Sequence, residues 1–188
     1  MILSLLGMPG GGKSTVGRHL ARRLDAPFVD TDATIERRIG CSIRSYFEQE
    51  GEERFRDLEA GVLSDVLEAG HSVVATGGGI VLREGNRRLL RERSICVYLH
   101  STPDELFRRL RHDTKRPLLQ VADPLARLRQ MFAERDALYR EAAHFVVETG
   151  RPSIPTLVNM ILMQLELGGA IDPQDVPSPV DPPPRDER

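Results

Sequence analysis

A single lysine stands beside four glycines and a proline near the start of the chain. The segment GMPGGGKST, from Gly7 to Thr15, satisfies the pattern G-x-x-x-x-G-K-[ST], and it lies between the apolar run ILSLL and an amphipathic segment. A loop with few side chains lets backbone N–H groups converge on phosphate oxygens where the next helix begins. A flexible glycine-rich turn is the alternative, but it does not explain why a buried strand precedes the loop and a helix follows it.

The pattern therefore predicts a binding site for a nucleoside triphosphate with Mg²⁺. Lys13 can reach the β- and γ-phosphates, and the Ser14 hydroxyl can bind the metal ion. The full set of residues expected at the phosphates is Gly10, Gly11, Gly12, Lys13, Ser14 and Thr15. The loop alone does not identify the group that accepts the phosphoryl group.

Two further segments each follow an apolar, strand-like run. Asp30 and Asp32 flank a threonine after APFV, and three glycines at 77–79 follow SVVAT. Because the carboxyl ends of parallel strands share one edge, where ligands bind, both segments should face the same crevice as the glycine loop. If the chain stays extended there, one carboxylate could hold the Mg²⁺ shell and the other could meet an acceptor hydroxyl. The alternative is that they only cap a helix near Ala33.

The arginines are of three kinds. Arg56 lies three residues before Glu59 on a helical segment, where an ordinary surface ion pair is the default interpretation. Arg135 falls inside an apolar stripe, and a charge there needs a structural acid or a bound anion as its partner. The stripe consists of Leu128, Met131, Phe132, Leu138 and Tyr139. Arg116 lies in the polar connection HDTKRPLLQVADP, which we interpret as a mobile lid, at about residues 111–124, that closes over the triphosphate.

The elements that must position these residues alternate between short apolar runs and helical patterns. ILSLL, APFV, SVVAT, SICVYL and HFVV are typical of strands, and the segments between them have helical spacing. Near-continuous apolar strands separated by helices indicate a parallel sheet that is covered on both faces. The predicted fold class is therefore α/β with three layers.

Length and composition limit the classes of function. A chain of 188 residues with 40% hydrophobic and 29% charged residues is typical of one globular domain. The apolar start is too short for a signal peptide, no run approaches the length of a membrane span, and the cysteines and histidines show no metal-binding spacing. We therefore expect a cytoplasmic monomer that binds neither membranes nor nucleic acid. Residues 168–188 are proline-rich and acidic, so we predict a domain at 1–167 and a disordered tail.

Taken together, these motifs resemble those of the shikimate kinases. GMPGGGKST, DTD, FRxxE at 55–59, GGG, RPLL at 116–119 and RDALY at 135–139 have the order and rough spacing of that family, over about residues 2–165. The resemblance implies ATP-dependent phosphorylation of the 3-hydroxyl of shikimate, a step of aromatic amino-acid biosynthesis. It also implies a P-loop fold like that of the nucleoside-monophosphate kinases, with a five-stranded parallel sheet in the order 2-3-1-4-5.

The resemblance further implies a role for each matching residue. Ser14 and Asp30 would serve Mg²⁺, Asp32 would meet the substrate hydroxyls as the base, and Lys13 and Arg116 would contact the ATP phosphates. Arg56 and Arg135 would clamp the shikimate carboxylate, with the backbone of Gly78 beside it. Arg109 would contact the adenine. The chain departs from the family near this last position, since Val147-Glu148-Thr149 replaces the usual V-D-T and Pro152 replaces an arginine.

Three alternatives remain open on the sequence alone. Another small-molecule kinase, such as a gluconate kinase, would share the glycine loop and the lid but not the two arginines beside DTD and GGG. A nucleoside-monophosphate kinase would need a pocket for a second base, for which the sequence shows no sign. A non-catalytic nucleotide-binding regulator would often lack the base or the lid arginine, whereas Asp32 and Arg116 are present here.

Overall fold

A parallel β-sheet with helices on both faces positions every candidate residue of the described chain. The computed structural model describes residues 1–111 and 121–176. The strands are β1 (Ile2–Leu6), β2 (Phe28–Asp30), β3 (Ser72–Ala75), β4 (Ile95–His100) and β5 (Phe145–Glu148). The helices are α1 (Lys13–Arg23), α2 (Thr31–Ile39), α3 (Ile43–Glu50), α4 (Glu52–Glu68), α5 (Glu84–Arg93), α6 (Pro103–Leu110), α7 (Pro124–Ala142) and α8 (Ile154–Leu167). Short 3-10 helices lie at Ile80–Leu82 and Pro173–Asp175.

The sheet has five strands in the order β2-β3-β1-β4-β5, and all four pairings are parallel. This confirms both the α/β class and the strand order that the resemblance implied. β1 is central, with Leu3 paired to Val73 of β3 on one side and to Ile95 of β4 on the other. The loops after β1, β2 and β3 therefore leave the sheet at the same edge.

The two faces of the sheet are covered by different helices. On one face, Leu3 and Leu5 of β1 pack in an apolar cluster with Leu20 of α1 and Ile161 of α8. On the other face, residues from α4, α5, α6 and α7 surround Leu6 and Tyr98. Because both faces are dry, the central strand must be apolar at nearly every position, which explains the run ILSLL.

The start of α1 differs from that of most other helices of the described chain. Side chains cap α2, α3, α6, α7 and α8, whereas α1 begins after Gly12 without a side-chain cap. Its first N–H groups are therefore not occupied by a capping oxygen and stay available to an anion.

The predicted lid and tail match the structure only in part. Most of the lid, including Arg116, lies outside the described residues, and α7 already begins at Pro124. We expected disorder from Gly168 onward, but residues 168–176 are described and fold back on the core. Ile171 is 8% exposed and belongs to the same apolar cluster as Leu165. Ala170 and Val176 also pack against this cluster, so the packed part of the chain extends past the predicted boundary at residue 167.

We predict that Ile171→Ala lowers the free energy of unfolding by about 2 kcal/mol, since it removes buried methyl groups and leaves a cavity. For a chain of this size this corresponds to a fall in Tm of about 4–8 °C in thermal unfolding. Leu167→Ala is the matched control because Leu167 is 83% exposed. Equal, small shifts for the two variants would show that the segment after α8 does not contribute to stability.

Candidate active site

The loop between β1 and α1 forms a backbone cradle in which glycine is required. A Cβ on Gly7 would stand 2.8 Å from the carbonyl oxygen of Leu99, which is backbone and cannot move aside. Gly12 has a φ of +85°, in the left-handed region that other residues avoid. These two constraints explain why the pattern fixes glycine at both ends of the loop.

Lys13 lies inside this cradle rather than in solvent. Its side chain is largely buried, and its ammonium group donates hydrogen bonds to the carbonyl oxygens of Gly7 at 2.7 Å and Met8 at 2.8 Å. The adjacent cleft has a volume of about 230 Å³. Its lining contains nine of the predicted residues, namely Gly10, Gly11, Gly12, Lys13, Ser14, Thr15, Asp30, Asp32 and Gly78.

Asp30 combines the two roles between which the sequence could not decide. One carboxylate oxygen accepts a hydrogen bond from the backbone N–H of Ala33 at 3.1 Å and so caps α2. The other accepts a hydrogen bond from the Ser14 hydroxyl at 2.6 Å. A hydroxyl and a carboxylate that already meet at the phosphate cradle suit Mg²⁺, which prefers one or two protein oxygens together with phosphate and water. Within residues 1–111 and 121–176, no cluster of three or more acidic, histidine or cysteine side chains offers a fuller metal site.

Asp32 lies in the first turn of α2, because the helix begins at Thr31 and the chain does not stay extended. Its carboxylate nevertheless faces the cleft, and a Cβ on Gly77 would stand 2.6 Å from its Oδ1 atom. Burial and the nearby charge of Asp30 raise the pKa of the Asp32 carboxyl to about 6, against the opposing effect of Lys13. A carboxylate with a pKa near neutrality is suited to accept a proton from a hydroxyl group.

Arg56 comes from α4 and forms a buried ion pair, which corrects the default interpretation as a surface pair. Its side chain is 11% exposed and that of Glu59 is 2% exposed, with an N–O distance of 2.9 Å. The guanidinium lies directly over Gly79, where a Cβ would collide with it. It also contacts the rings of Phe47 and Phe55, at 5.9 and 5.2 Å from their centroids.

Arg135 approaches the same place from α7 and is 8% exposed, as its position in an apolar stripe predicted. Burial raises the pKa of the Glu59 carboxyl, and the charges of Arg56 and Arg135 oppose this rise. Glu59 therefore pairs with Arg56 and lies near enough to Arg135 for its charge to act on the carboxyl group. In the described part of the chain, the Nε atoms of Arg56 and Arg135 are buried without a hydrogen-bond partner. Two buried cationic groups with unused donors favour a bound anion.

Sequence reasoning named Glu59 only as the partner of Arg56 and did not name Phe47 at all. The helical spacing between Arg56 and Glu59 signalled their contact, but no pattern signalled that the pair would be buried. Nothing in the sequence pointed to Phe47, which reaches the site from α3 through its contact with Phe55, with ring centroids 4.7 Å apart.

Arg109 lies at a second cleft on the other side of the glycine loop. Its guanidinium donates to the carbonyl oxygen of Thr149 at 2.7 Å. The cleft is lined by the glycines at 10–12, by Thr15 and by residues from the segment 149–157. Arg109 therefore lies beside the phosphate cradle, where the resemblance placed the adenine.

A phosphate cradle, two carboxylates and a pair of buried arginines, all at one edge of this sheet, define a P-loop kinase that acts on a small molecule. The family model described as "Shikimate kinase" matches residues 9–166. A shikimate kinase of Paracidovorax citrulli is 58% identical over 91% of this chain and 95% of its own length. The chain belongs to the shikimate kinase family, whose enzymes phosphorylate shikimate in the biosynthesis of aromatic amino acids.

Solved structures agree with this assignment. Shikimate kinase from Acinetobacter baumannii, in complex with shikimate, superposes with a TM-score of 0.84 at 42% identity, covering 90% of this chain and 94% of that one. A gluconokinase from Sinorhizobium meliloti covers 89% of this chain and 93% of its own, with a TM-score of 0.55 at 20% identity. The second likeness shows only that the two proteins share a fold.

We predict that Asp32→Asn stabilises the protein most above pH 6, and that this gain falls to about a third at pH 4.5 and disappears below pH 3.8. Because the pKa of this carboxyl is raised from 3.8 to about 6 on folding, the folded state binds the proton more tightly, and stability falls as pH rises through this range. Removing the charge should therefore add about 1–3 kcal/mol at pH 8, measured by chemical denaturation at both pH values.

Asp30→Asn is the control for this measurement. Both oxygens of Asp30 accept hydrogen bonds, from Ser14 and Ala33, and asparagine offers only one oxygen. This variant should gain no stability at pH 8. A gain of the same size for both variants, or a gain for Asp32→Asn that is independent of pH, would contradict the burial argument.

Proposed function

We propose that this chain transfers the γ-phosphoryl group of ATP to the 3-hydroxyl of shikimate in an Mg²⁺-dependent reaction. The observation that carries the proposal is the pair of buried arginines near the glycine segment, whose Nε donors have no hydrogen-bond partner within residues 1–111 and 121–176. Asp32 lines the phosphate cleft, which the glycine segment borders at Gly78. Membership of the shikimate kinase family supports this choice of acceptor.

The acceptor would be held by its carboxylate. Arg56 and Arg135 converge from two helices beside 77–79, so a carboxylate between them receives charge-assisted hydrogen bonds from both. The backbone of Gly78 can approach the ring of the acceptor because Gly78 has no side chain and already packs against Pro9. The acceptor hydroxyls would then extend toward Asp32.

The phosphates of ATP would occupy the cradle between β1 and α1. The uncapped N–H groups at the start of α1 would bind phosphate oxygens, and the ammonium of Lys13 would exchange its contacts with loop carbonyls for contacts with the triphosphate. Arg109 would contact the adenine, and Arg116 would contact the phosphates from the lid. The roles of these two arginines remain predictions, and so do the monomeric state and the cytoplasmic location.

Asp32 would act as the base, and Ser14 and Asp30 would hold the metal ion. Bound Mg²⁺ neutralises the charge that develops on the transferring phosphoryl group. The transition state of phosphoryl transfer is loose, so the acceptor hydroxyl mainly needs positioning, and Asp32 takes up its proton late. The positive charge of Lys13 opposes the rise in the pKa of Asp32 and so favours the ionised form that accepts the proton.

The acceptor is tested by measuring ADP release in the presence of shikimate, gluconate or AMP. We expect turnover with shikimate alone. The ring of shikimate holds its carboxylate and its hydroxyls at a fixed spacing that matches the arginine pair and Asp32, whereas gluconate is an open chain and AMP would need a second base pocket. Product identity is checked by mass spectrometry of the phosphorylated acceptor. Faster turnover with gluconate or AMP than with shikimate would overturn the assignment of the acceptor.

We predict that Arg135→Ala raises the KM for shikimate about 10- to 150-fold and changes the KM for ATP much less. A charge-assisted hydrogen bond to a carboxylate contributes about 1.5–3 kcal/mol, which corresponds to this range. The same result is expected for Arg56→Ala when it is combined with Glu59→Gln, because Arg56→Ala alone leaves Glu59 buried without its partner.

Arg140→Ala is the matched control on the same helix. Arg140 is 48% exposed and pairs with Asp136 at 3.1 Å, away from 77–79. Its removal should change neither KM by more than about twofold. If Arg135→Ala raises the KM for shikimate no more than the KM for ATP, and no more than Arg140→Ala does, the arginine pair does not bind the acceptor.

A further inference from the structure

Tyr139 occupies the turn of α7 that follows Arg135, on the same face of the helix. It is completely buried, yet its hydroxyl is not enclosed by apolar atoms alone. The hydroxyl donates a hydrogen bond of 2.6 Å to the carbonyl oxygen of Gly78. A phenylalanine would fill the same space in the core, so the hydroxyl needs an explanation beyond packing.

Arg135 lies close to the phenol oxygen, one turn earlier on the same helix. Burial raises the pKa of the Tyr139 hydroxyl to about 12, and the positive charge of Arg135 opposes this rise. The hydroxyl therefore donates to Gly78 while it lies near the Arg135 guanidinium. One oxygen atom thus lies beside both groups that the proposed function assigns to acceptor binding.

The glycine segment depends on such contacts because it has no side chains of its own. The N–H of Gly77 donates to the Thr31 hydroxyl at 3.1 Å, and the carbonyl of Gly77 accepts from Ile80 at 3.1 Å. The carbonyl of Gly78 is held by Tyr139. Since a trans peptide is planar, holding this carbonyl also fixes the direction of the next N–H, that of Gly79.

We propose that Tyr139 is a positioning residue of the acceptor site, which holds the Arg135 guanidinium and the Gly78 peptide in one fixed geometry. This inference rests on the proposed function, because it assumes that Arg135 binds the carboxylate of the acceptor. Tyr139 acts on acceptor binding through these two groups. It does not reach the phosphate cradle or Asp32.

The test is Tyr139→Phe, measured in steady state with shikimate and ATP varied separately. Loss of a buried hydroxyl that orders two binding groups should raise the KM for shikimate about five- to tenfold, the effect of roughly one hydrogen bond. The KM for ATP and kcat should stay within about twofold. A purely structural tyrosine would lower Tm on substitution but leave the ratio of the two KM values unchanged.

Tyr98→Phe is a closely matched control. Tyr98 is also completely buried, its ring packs against that of Tyr139 with centroids 4.9 Å apart, and its hydroxyl donates to Asp136 at 2.8 Å. It has no contact with Gly78. Both variants should lose thermal stability to a similar extent, and Tyr98→Phe should leave the KM for shikimate within about twofold of the parent.

The double variant Tyr139→Phe/Arg135→Ala separates this inference from the proposed function. If Tyr139 acts through Arg135, the two effects on the KM for shikimate should not multiply, and the tyrosine substitution should matter less once Arg135 is gone. A normal KM for Tyr139→Phe, or fully multiplying effects, overturns the positioning role while leaving the arginine clamp intact. If Arg135→Ala alone has no effect on shikimate, the clamp itself is wrong.

Discussion

Because β1 lies in the centre of an all-parallel sheet, the loop that follows it must emerge at the same edge as the loops after β2 and β3. This constraint brings together segments that are far apart in the sequence. The phosphate cradle follows β1, the two aspartates stand at the end of β2, and the glycine segment follows β3. The parallel pairing of β3 with both β1 and β2 gives the three strands the same direction and so brings these loops to one edge.

The charged groups at this edge lie close to groups of opposite charge and are largely shielded from water. Lys13 faces Asp32, and Arg56 and Arg135 face Glu59, so each cation of the site has an acidic neighbour within the fold. The balance is incomplete, since burial disfavours the charged form of Asp32 and the Nε donors of Arg56 and Arg135 have no partner in the described part of the chain. Such sites cost stability in the free protein and regain it when a ligand supplies the missing groups.

Much of this site was predictable from the sequence because its motifs have a local physical cause. The glycine loop requires glycine for backbone reasons, and Arg135 was conspicuous as a charge within an apolar stripe. The burial of Arg56 was not predictable, because the spacing to Glu59 is the same on a wet helix face and on a dry one. Only the packing of α4 against the glycine segment, which is a tertiary contact, makes the pair part of the site.

Other features depend on local geometry that the sequence does not reveal. The sequence left open whether the two aspartates stay on an extended chain or cap a helix near Ala33. In the structure Asp30 caps α2, which begins at Thr31, so Asp32 lies within the first turn of the helix. The average composition of residues 168–188 predicts disorder, whereas Ile171, Ala170 and Val176 pack against the apolar cluster beside α8. The average composition of a segment does not reveal a few apolar residues that pack against the core.

The packing of α8 bears on how the protein is made. Leu3 and Leu5 of β1 are synthesised early, yet part of the cluster that covers them comes from α8, at the far end of the domain. Contacts between such distant segments close a long loop and therefore form late. While the chain is still being translated, the strand beneath the phosphate cradle has one face uncovered, and this nascent form presents apolar surface to chaperones. Competence to bind a nucleotide therefore arises only when nearly the entire domain has left the ribosome.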